Sequence, residues 1–219
     1  MKLIDLTYPI TNNIKEYPGD PKTKLKKTNS DGCTLFKFTT GLHTGTHIDA
    51  PYHYLKNGSK ISDLNLEDFI GKAKVIESSE KIINTSEPLE EIVIINTGWS
   101  KNWGEDRYFI DYPYLSMEFI ERLIEENVKG IAIDTCSVDK HGFDEIHKKL
   151  LKNNIWIVEN IANSDKLKGK YYKSYFIPLK IEAEASPIRA FVKEIWLSFV
   201  QSKWRGFRSI AAIILIFLF

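Results

Sequence analysis

The sequence predicts a mixed α/β domain. Three observations carry that expectation: short apolar runs of strand length outnumber the helical ones, two amphipathic stretches lie among them, and no repeat or Pro/Gly/Ser-rich linker divides the 219 residues. Taken in order, "KAKVIES" (72–78) and "EIVIIN" (91–96) read as strands, joined by "SSEKIINTSEPLE". "SMEFIERLIEENVKG" (116–130) reads as a helix capped by Ser116 and stopped by Gly130, with Phe119, Ile120, Leu123, Ile124 and Val128 along one face. "GIAID" (130–134) follows as a buried strand. A second helix over 143–152 carries an apolar stripe of Phe143, Ile146, Leu150 and Leu151. The strand "IWIVEN" (155–160) and a closing strand in "YYKSYFIPLKI" complete the pattern. Periodicity does not distinguish a layered sheet from a barrel.

Composition narrows the function. Hydrophobic residues at 43% and charged residues at 27% describe a globular domain, and a formal net charge of +1 gives no footprint for nucleic acid. Cys33 and Cys136 lie far apart and form no CxxC pair, which predicts a reducing, cytoplasmic setting without a disulfide framework. The opening "MKLIDLTYPI" carries an aspartate inside its apolar run and predicts no signal peptide. The last eleven residues, "SIAAIILIFLF", are uncharged, but a membrane span needs about 20 apolar residues. The expected role is docking on this subunit or a neighbour; a surface anchor helped by Lys203, Arg205 and Arg208 is the second reading.

Three of the five histidines fall in "GLHTGTHIDAPYHYL" (41–55). His43 and His47 have helical spacing, but Gly45, Thr44, Thr46 and Pro51 oppose a helix. Read as extended chain, His43, Gly45, His47 and Asp49 share one face, and Gly45 leaves room for an ion between the imidazoles. Two imidazoles and a carboxylate suit zinc, manganese or iron better than calcium or magnesium. His53, beyond the turn at Pro51, has the position of a general acid/base beside a metal.

Two further residues bear on this cluster. His147 sits in the apolar stripe of the second helix, and taken alone it reads first as a core histidine bonded to backbone. Glu159 ends the strand begun at Ile155, where an unpaired carboxylate would be costly, so a cation or metal is its natural partner. Trp99, Trp103, Phe109 and Tyr114 read as core or interface before pocket lining. Asp134, Ser137 and Asp139 read as turn residues before supports for metal ligands.

"HTGTHIDAPYH" resembles the HxGTHxDxPxH signature of the cyclase family, whose best-known members are bacterial kynurenine formamidases. "HKKLLKNNIWIVEN" is similar to that family's second metal-binding segment. "YPGD", "NTGWS", "IDTCSVD" and "SPIRAF" fall where similar elements occur. The resemblance covers residues 1–191 and leaves 192–219 as a tail of its own. It implies a compact single α/β domain of the swivelling β/β/α type, with a β-barrel-like core and flanking helices, paired as a homodimer. It also implies that His43, His47 and Asp49 bind a first metal, that Asp49 bridges to a second ion held by His147, and that Glu159 touches both. His53 would carry the proton. Tyr17 stands where the formamidases typically have a tryptophan that contacts substrate, and "EAEASPIRAF" lacks the glycines expected before "SP".

The function this implies is metal-dependent hydrolysis of an amide bond in a small aromatic substrate, as in the conversion of N-formylkynurenine to kynurenine and formate. The cofactor would be two divalent ions, zinc or else manganese. Opening of a cyclic amide such as isatin is the alternative within hydrolases, and a metal-binding protein without turnover is the alternative outside them.

Overall fold

The run Ile92, Val93, Ile94, Ile95 is apolar at every position because both faces of its strand are covered. One face looks into a closed barrel and the other against helices. The computed structural model describes residues 2–30 and 32–195; of the expected tail 192–219, residues 192–194 belong to the last strand and those from 196 onward lie outside the described residues. Among the described residues twelve strands occur: β1 (Leu3–Asp5), β2 (Lys24–Ser30), β3 (Cys33–Thr39), β4 (His47–Asp49), β5 (Ile70–Glu77), β6 (Ile82–Ile83), β7 (Ile92–Asn96), β8 (Tyr114–Leu115), β9 (Gly130–Ile133), β10 (Trp156–Glu159), β11 (Tyr171–Pro178) and β12 (Ala185–Glu194). The α-helices among the same residues are α1 (Met117–Glu125) and α2 (Glu145–Lys152). None of the helices among the described residues is long and apolar enough to cross a membrane.

The main sheet runs β1-β12-β11-β5-β7-β9-β10-β4, and β4 also pairs with β12. That last pairing closes a ring of seven strands and leaves β1 as an outer strand on β12. Closure depends on the length of β12. Its start pairs with β4 (Ala185 opposite Asp49), and its far end, running past Phe191, pairs with β1 (Val192 opposite Ile4). Strands β5, β7, β9 and β10 are mutually parallel, with α1 and α2 as crossovers. The β2–β3 hairpin forms a separate sheet with Leu35, Phe36 and Phe38 exposed.

Side-chain alternation sorts the core into two compartments. Ile92, Ile94, Ala132, Trp156 and Val158 point into the barrel with Ile48 and Phe176, whereas Val93, Ile95, Ile131, Ile133 and Ile157 meet Phe119, Ile120, Leu123, Leu150 and Leu151 of the helices. On β11, Tyr172, Ser174 and Phe176 are buried and alternate with more open residues, as expected where no helix covers the outside.

Ser116 caps α1 as predicted, its side chain accepting from the Phe119 amide at 3.1 Å. Gly130 does not stop this helix. It ends at Glu125, where Asn127 takes a left-handed φ of 54° and Val128 N–H returns to the Leu123 carbonyl at 3.0 Å. Gly130 instead opens β9, and a Cβ there would overlap the Trp156 ring. Gly130→Ala is therefore expected to destabilise the fold by about 1–3 kcal/mol through overpacking. Urea unfolding of the two proteins would read this, and an unchanged midpoint would contradict the packing argument. The second helix also starts later than predicted: Phe143 precedes it and is 59% exposed, so it takes no part in the apolar stripe.

Candidate metal centre and active site

The register of β4 against β10 builds the site. Ile48 and Val158 are opposite each other and face the barrel interior, so their neighbours face outward. His47, opposite Glu159, and Asp49, opposite Ile157, thus reach the outer wall beneath α2, whose first turn brings in His147. The predicted extended reading holds only for 47–49. His43 arrives on a turn, because Gly45 has a left-handed φ of 64° and its missing side chain admits Ile14 Cδ1 at 3.0 Å from where a Cβ would stand. Gly45 is a turn residue, not a space left for an ion.

The structure brings the five expected ligands together. Asp49 Oδ1 lies 3.0 Å from His43 Nδ1 and 3.4 Å from His47 Nε2, while Oδ2 lies 3.7 Å from His147 Nε2. Glu159 divides in the same way, Oε2 at 3.6 Å from His47 Nε2 and Oε1 at 3.0 Å from His147 Nε2. Each carboxylate therefore has one oxygen toward His47 and the other toward His147. His53 stands beside the candidate ligands. A ring nitrogen of His53, a nitrogen of His43 and an oxygen of Asp49 all lie within 4.8 Å of one another, as do ligand atoms of His47, Asp49 and Glu159.

The donor atoms fit a cation. Among the described residues five buried side-chain polar atoms have no hydrogen-bond partner, and four of them are His47 Nε2, both Asp49 oxygens and Glu159 Oε1. Buried carboxylate oxygens left this way are costly unless a positive charge meets them. The electrostatics agree. Burial pushes Glu159 up to about 7, although His147 beside it works in the opposite direction. Burial alone would depress His43, but Asp49, Glu184 and Glu159 outweigh it and raise its pKa to about 10. Burial takes His47 and His53 down to about 4.

Supports surround the ligands. His47 Nδ1 meets the Gly45 carbonyl at 2.9 Å, and that carbonyl also accepts from Asn160 Nδ2 at 3.0 Å. Asn160 is held in turn by the Tyr108 hydroxyl, which donates to its Oδ1 at 2.9 Å. Asp139 reads in the sequence as a turn residue first, yet its carboxylate accepts from the Ile146 and His147 amides at 2.7 and 2.9 Å and meets His147 Nδ1 at 2.6 Å. It caps α2 and orients its histidine together. Asp134 is buried and accepts from Thr97 and Ser164, tying together the loops behind the site.

A cavity of about 270 Å³ opens onto the ligands. Tyr17, expected to contact substrate, lines it and packs edge-on against Phe109 at 5.8 Å. Trp103 and Phe109 also line the cavity; Trp99 packs into the aromatic cluster behind it, and Tyr114 belongs to β8. Sequence reasoning missed Tyr54, Tyr112, Cys136, Phe143 and Asn160 in this wall. Only Asn160 had a local signal, following a buried acid and adopting a left-handed φ of 58°, where asparagine is enriched.

Comparison with known proteins follows the same lines. The family profile described as "Putative cyclase" matches residues 4–140. An uncharacterized protein of Methanocaldococcus jannaschii is 38% identical over 192 residues, covering 86% of this chain and 97% of its own. Kynurenine formamidase of Bacillus mycoides is 31% identical over 207 residues, covering 88% and 97%. Among solved structures, isatin hydrolase A from Labrenzia aggregata superposes with a TM-score of 0.76 at 23% identity, over 87% of this chain and 93% of that one. A potential metal-dependent hydrolase with cyclase activity gives 0.74 at 23% identity, over 87% and 96%. At these identities the structural likenesses speak for the fold.

Proposed function

The chain belongs to the cyclase family, and on that premise we propose that it is a metal-dependent hydrolase of amide bonds in small aromatic substrates, arylformamidase-like in its chemistry. One observation carries this reading: buried, unpartnered ligand atoms of His47, Asp49 and Glu159 face the end of an aromatic-lined cavity. A binding site without turnover would not need His53 beside the ligands and open to that cavity.

His43, His47, Asp49 and Glu159 would hold one divalent cation, and His147 with the second oxygens of Asp49 and Glu159 would hold another. Bound zinc or manganese supplies Lewis acidity and a water whose pKa falls from 15.7 toward about 7. The chain supplies the rest. Tyr17, Phe109 and Trp103 receive the aryl ring and set the carbonyl against the ligand cluster. His53 takes a proton as the new C–O bond forms, then gives it to the leaving nitrogen as the C–N bond breaks. Its uncharged state near neutral pH, favoured by burial, suits it to accept first.

The test is hydrolysis of N-formylkynurenine by the purified chain, metal-loaded and then stripped with chelator, followed by absorbance. Turnover that chelation abolishes and zinc or manganese restores is the expected result. No turnover with metal bound would reassign the substrate to a cyclic amide such as isatin, with the Tyr17 hydroxyl as the first difference to examine. Turnover indifferent to chelation would sink the metal reading altogether.

A further inference from the structure

His43, His47 and His147, which face the cluster of candidate ligands, each have a second ring nitrogen pointing away from it. For His47 that nitrogen meets the Gly45 carbonyl at 2.9 Å, and for His147 it meets Asp139 at 2.6 Å. His43 is turned the other way round. Its Nδ1 faces Asp49 at 3.0 Å and its Nε2 faces outward, toward Glu184 Oε1 at 3.6 Å.

Resting on the reading of this cluster as a metal centre, we propose that Glu184 is the positioning residue for His43. Glu184 accepts from Nε2–H and so fixes the tautomer whose Nδ1 presents its electron pair, beside Asp49, to a metal ion. His43 needs such a partner more than the other two. It stands on a turn outside the sheet, and its side chain is 23% exposed against 2% for His47 and 7% for His147. Its ring packs against those of His47 and His53, but one edge stays open to solvent, so packing holds it less fully. Glu184 is well placed for the task because its own backbone is fixed to the ligand strand. Its carbonyl accepts from the Ala50 amide at 2.8 Å, and the next residue, Ala185, pairs with Asp49. Among the described residues no lysine or arginine pairs with its carboxylate; His43 is its ion partner. At 3.6 Å the pair stands just beyond hydrogen-bond distance, and the proposal requires a small rotation of either side chain to close it. Carboxylate partners of this kind orient a ligating imidazole and raise its basicity, and their loss typically weakens metal binding about 10–100-fold.

The experiment compares the full chain with Glu184→Ala and Glu184→Gln. Zinc and cobalt are titrated in competition with a chromophoric chelator, and the histidine tautomers of the zinc-loaded protein are read by long-range ¹H–¹⁵N NMR. The expected result is about a 10–100-fold weaker affinity for one metal equivalent in the alanine variant, with the other unchanged. Glutamine, which keeps an acceptor oxygen, should fall between. His43 should carry its proton on Nε2 in the wild type. An alanine variant that binds both equivalents with wild-type affinity, or a His43 protonated on Nδ1 with zinc bound, overturns the proposal alone. A wild-type chain that binds neither metal overturns the metal centre and the proposal with it. Melting of the metal-free proteins separates a general loss of fold, which would lower the transition without singling out one metal equivalent.

Discussion

Asp49→Ala is expected to remove tight binding of both divalent cations and to lower amide hydrolysis by roughly 10³-fold, equivalent to several kcal/mol of transition-state stabilisation. Asp49 has one oxygen toward His43 and His47 and the other toward His147. Truncating any single histidine would leave one half of the cluster intact, whereas truncating Asp49 removes a ligand from each. Burial works against its charged form, yet His43 and His47 hold the carboxyl well below the usual carboxylate range, so it is available as an anion. Thermal melting gives an independent readout. A cation that binds only the folded chain stabilises it by about 2.7 kcal/mol at one hundred times its dissociation constant. Wild-type melting should rise with added zinc, and the variant's should not. In chelator the order should narrow or reverse, because the variant no longer buries two carboxylate oxygens without partners. An Asp49→Ala protein that keeps both metal equivalents at wild-type affinity would show that the cluster is organised around some other residue.

What the sequence could disclose depended on whether the relevant information was local. The helix start at Ser116 is local, since a cap needs only its own first turn, and it was legible. So was Glu159 as an anomaly, because an acid ending an apolar strand is costly wherever that strand packs. The end of α1 was misplaced because asparagine and glycine both tolerate the left-handed turn, and Gly130 was the more obvious stop; the structure uses Asn127. Barrel closure was implied by the family resemblance but was not legible in the periodicity of the residues. It arises because β12 is long enough to meet β4 with one end and β1 with the other, a fact about spatial partners that no periodicity records. The same limit applied within the site. The candidate ligands stand out because their types and spacing are unusual, whereas Asp139 does not, because "IDTCSVD" reads like a turn. Only the fold brings its carboxylate to the amides of α2 and to His147 Nδ1. Glu184 likewise reaches His43 from a distant segment, held there by the strand pairing beside Asp49.

His53→Ala is expected to lower turnover by about 10²–10⁴-fold, the usual worth of a positioned acid/base, while metal content stays at the wild-type level. The geometry makes this a demanding test. His53 follows Pro51 on a short 3₁₀ turn rather than standing on β4, and its ring centroid is 4.3 Å from that of His43 and 6.0 Å from that of His147. It is therefore near enough to take up a ligand's position. Against that, the ligand atoms of His47, Asp49 and Glu159 already form a buried set without it, and His53 lies in the cavity wall where a substrate's leaving nitrogen would arrive. A ligand and a proton carrier differ in what their loss does to binding. Removing a proton carrier leaves the metal titration unchanged and depresses kcat, with KM little altered because the ground-state complex keeps its contacts. Removing a ligand weakens the titration first, and excess metal then restores part of the rate. Metal analysis of His53→Ala together with kcat at saturating zinc decides between them. Loss of a metal equivalent, or rescue of the rate by added zinc, would move His53 from the proton path into the ligand set and leave the proton path without a histidine.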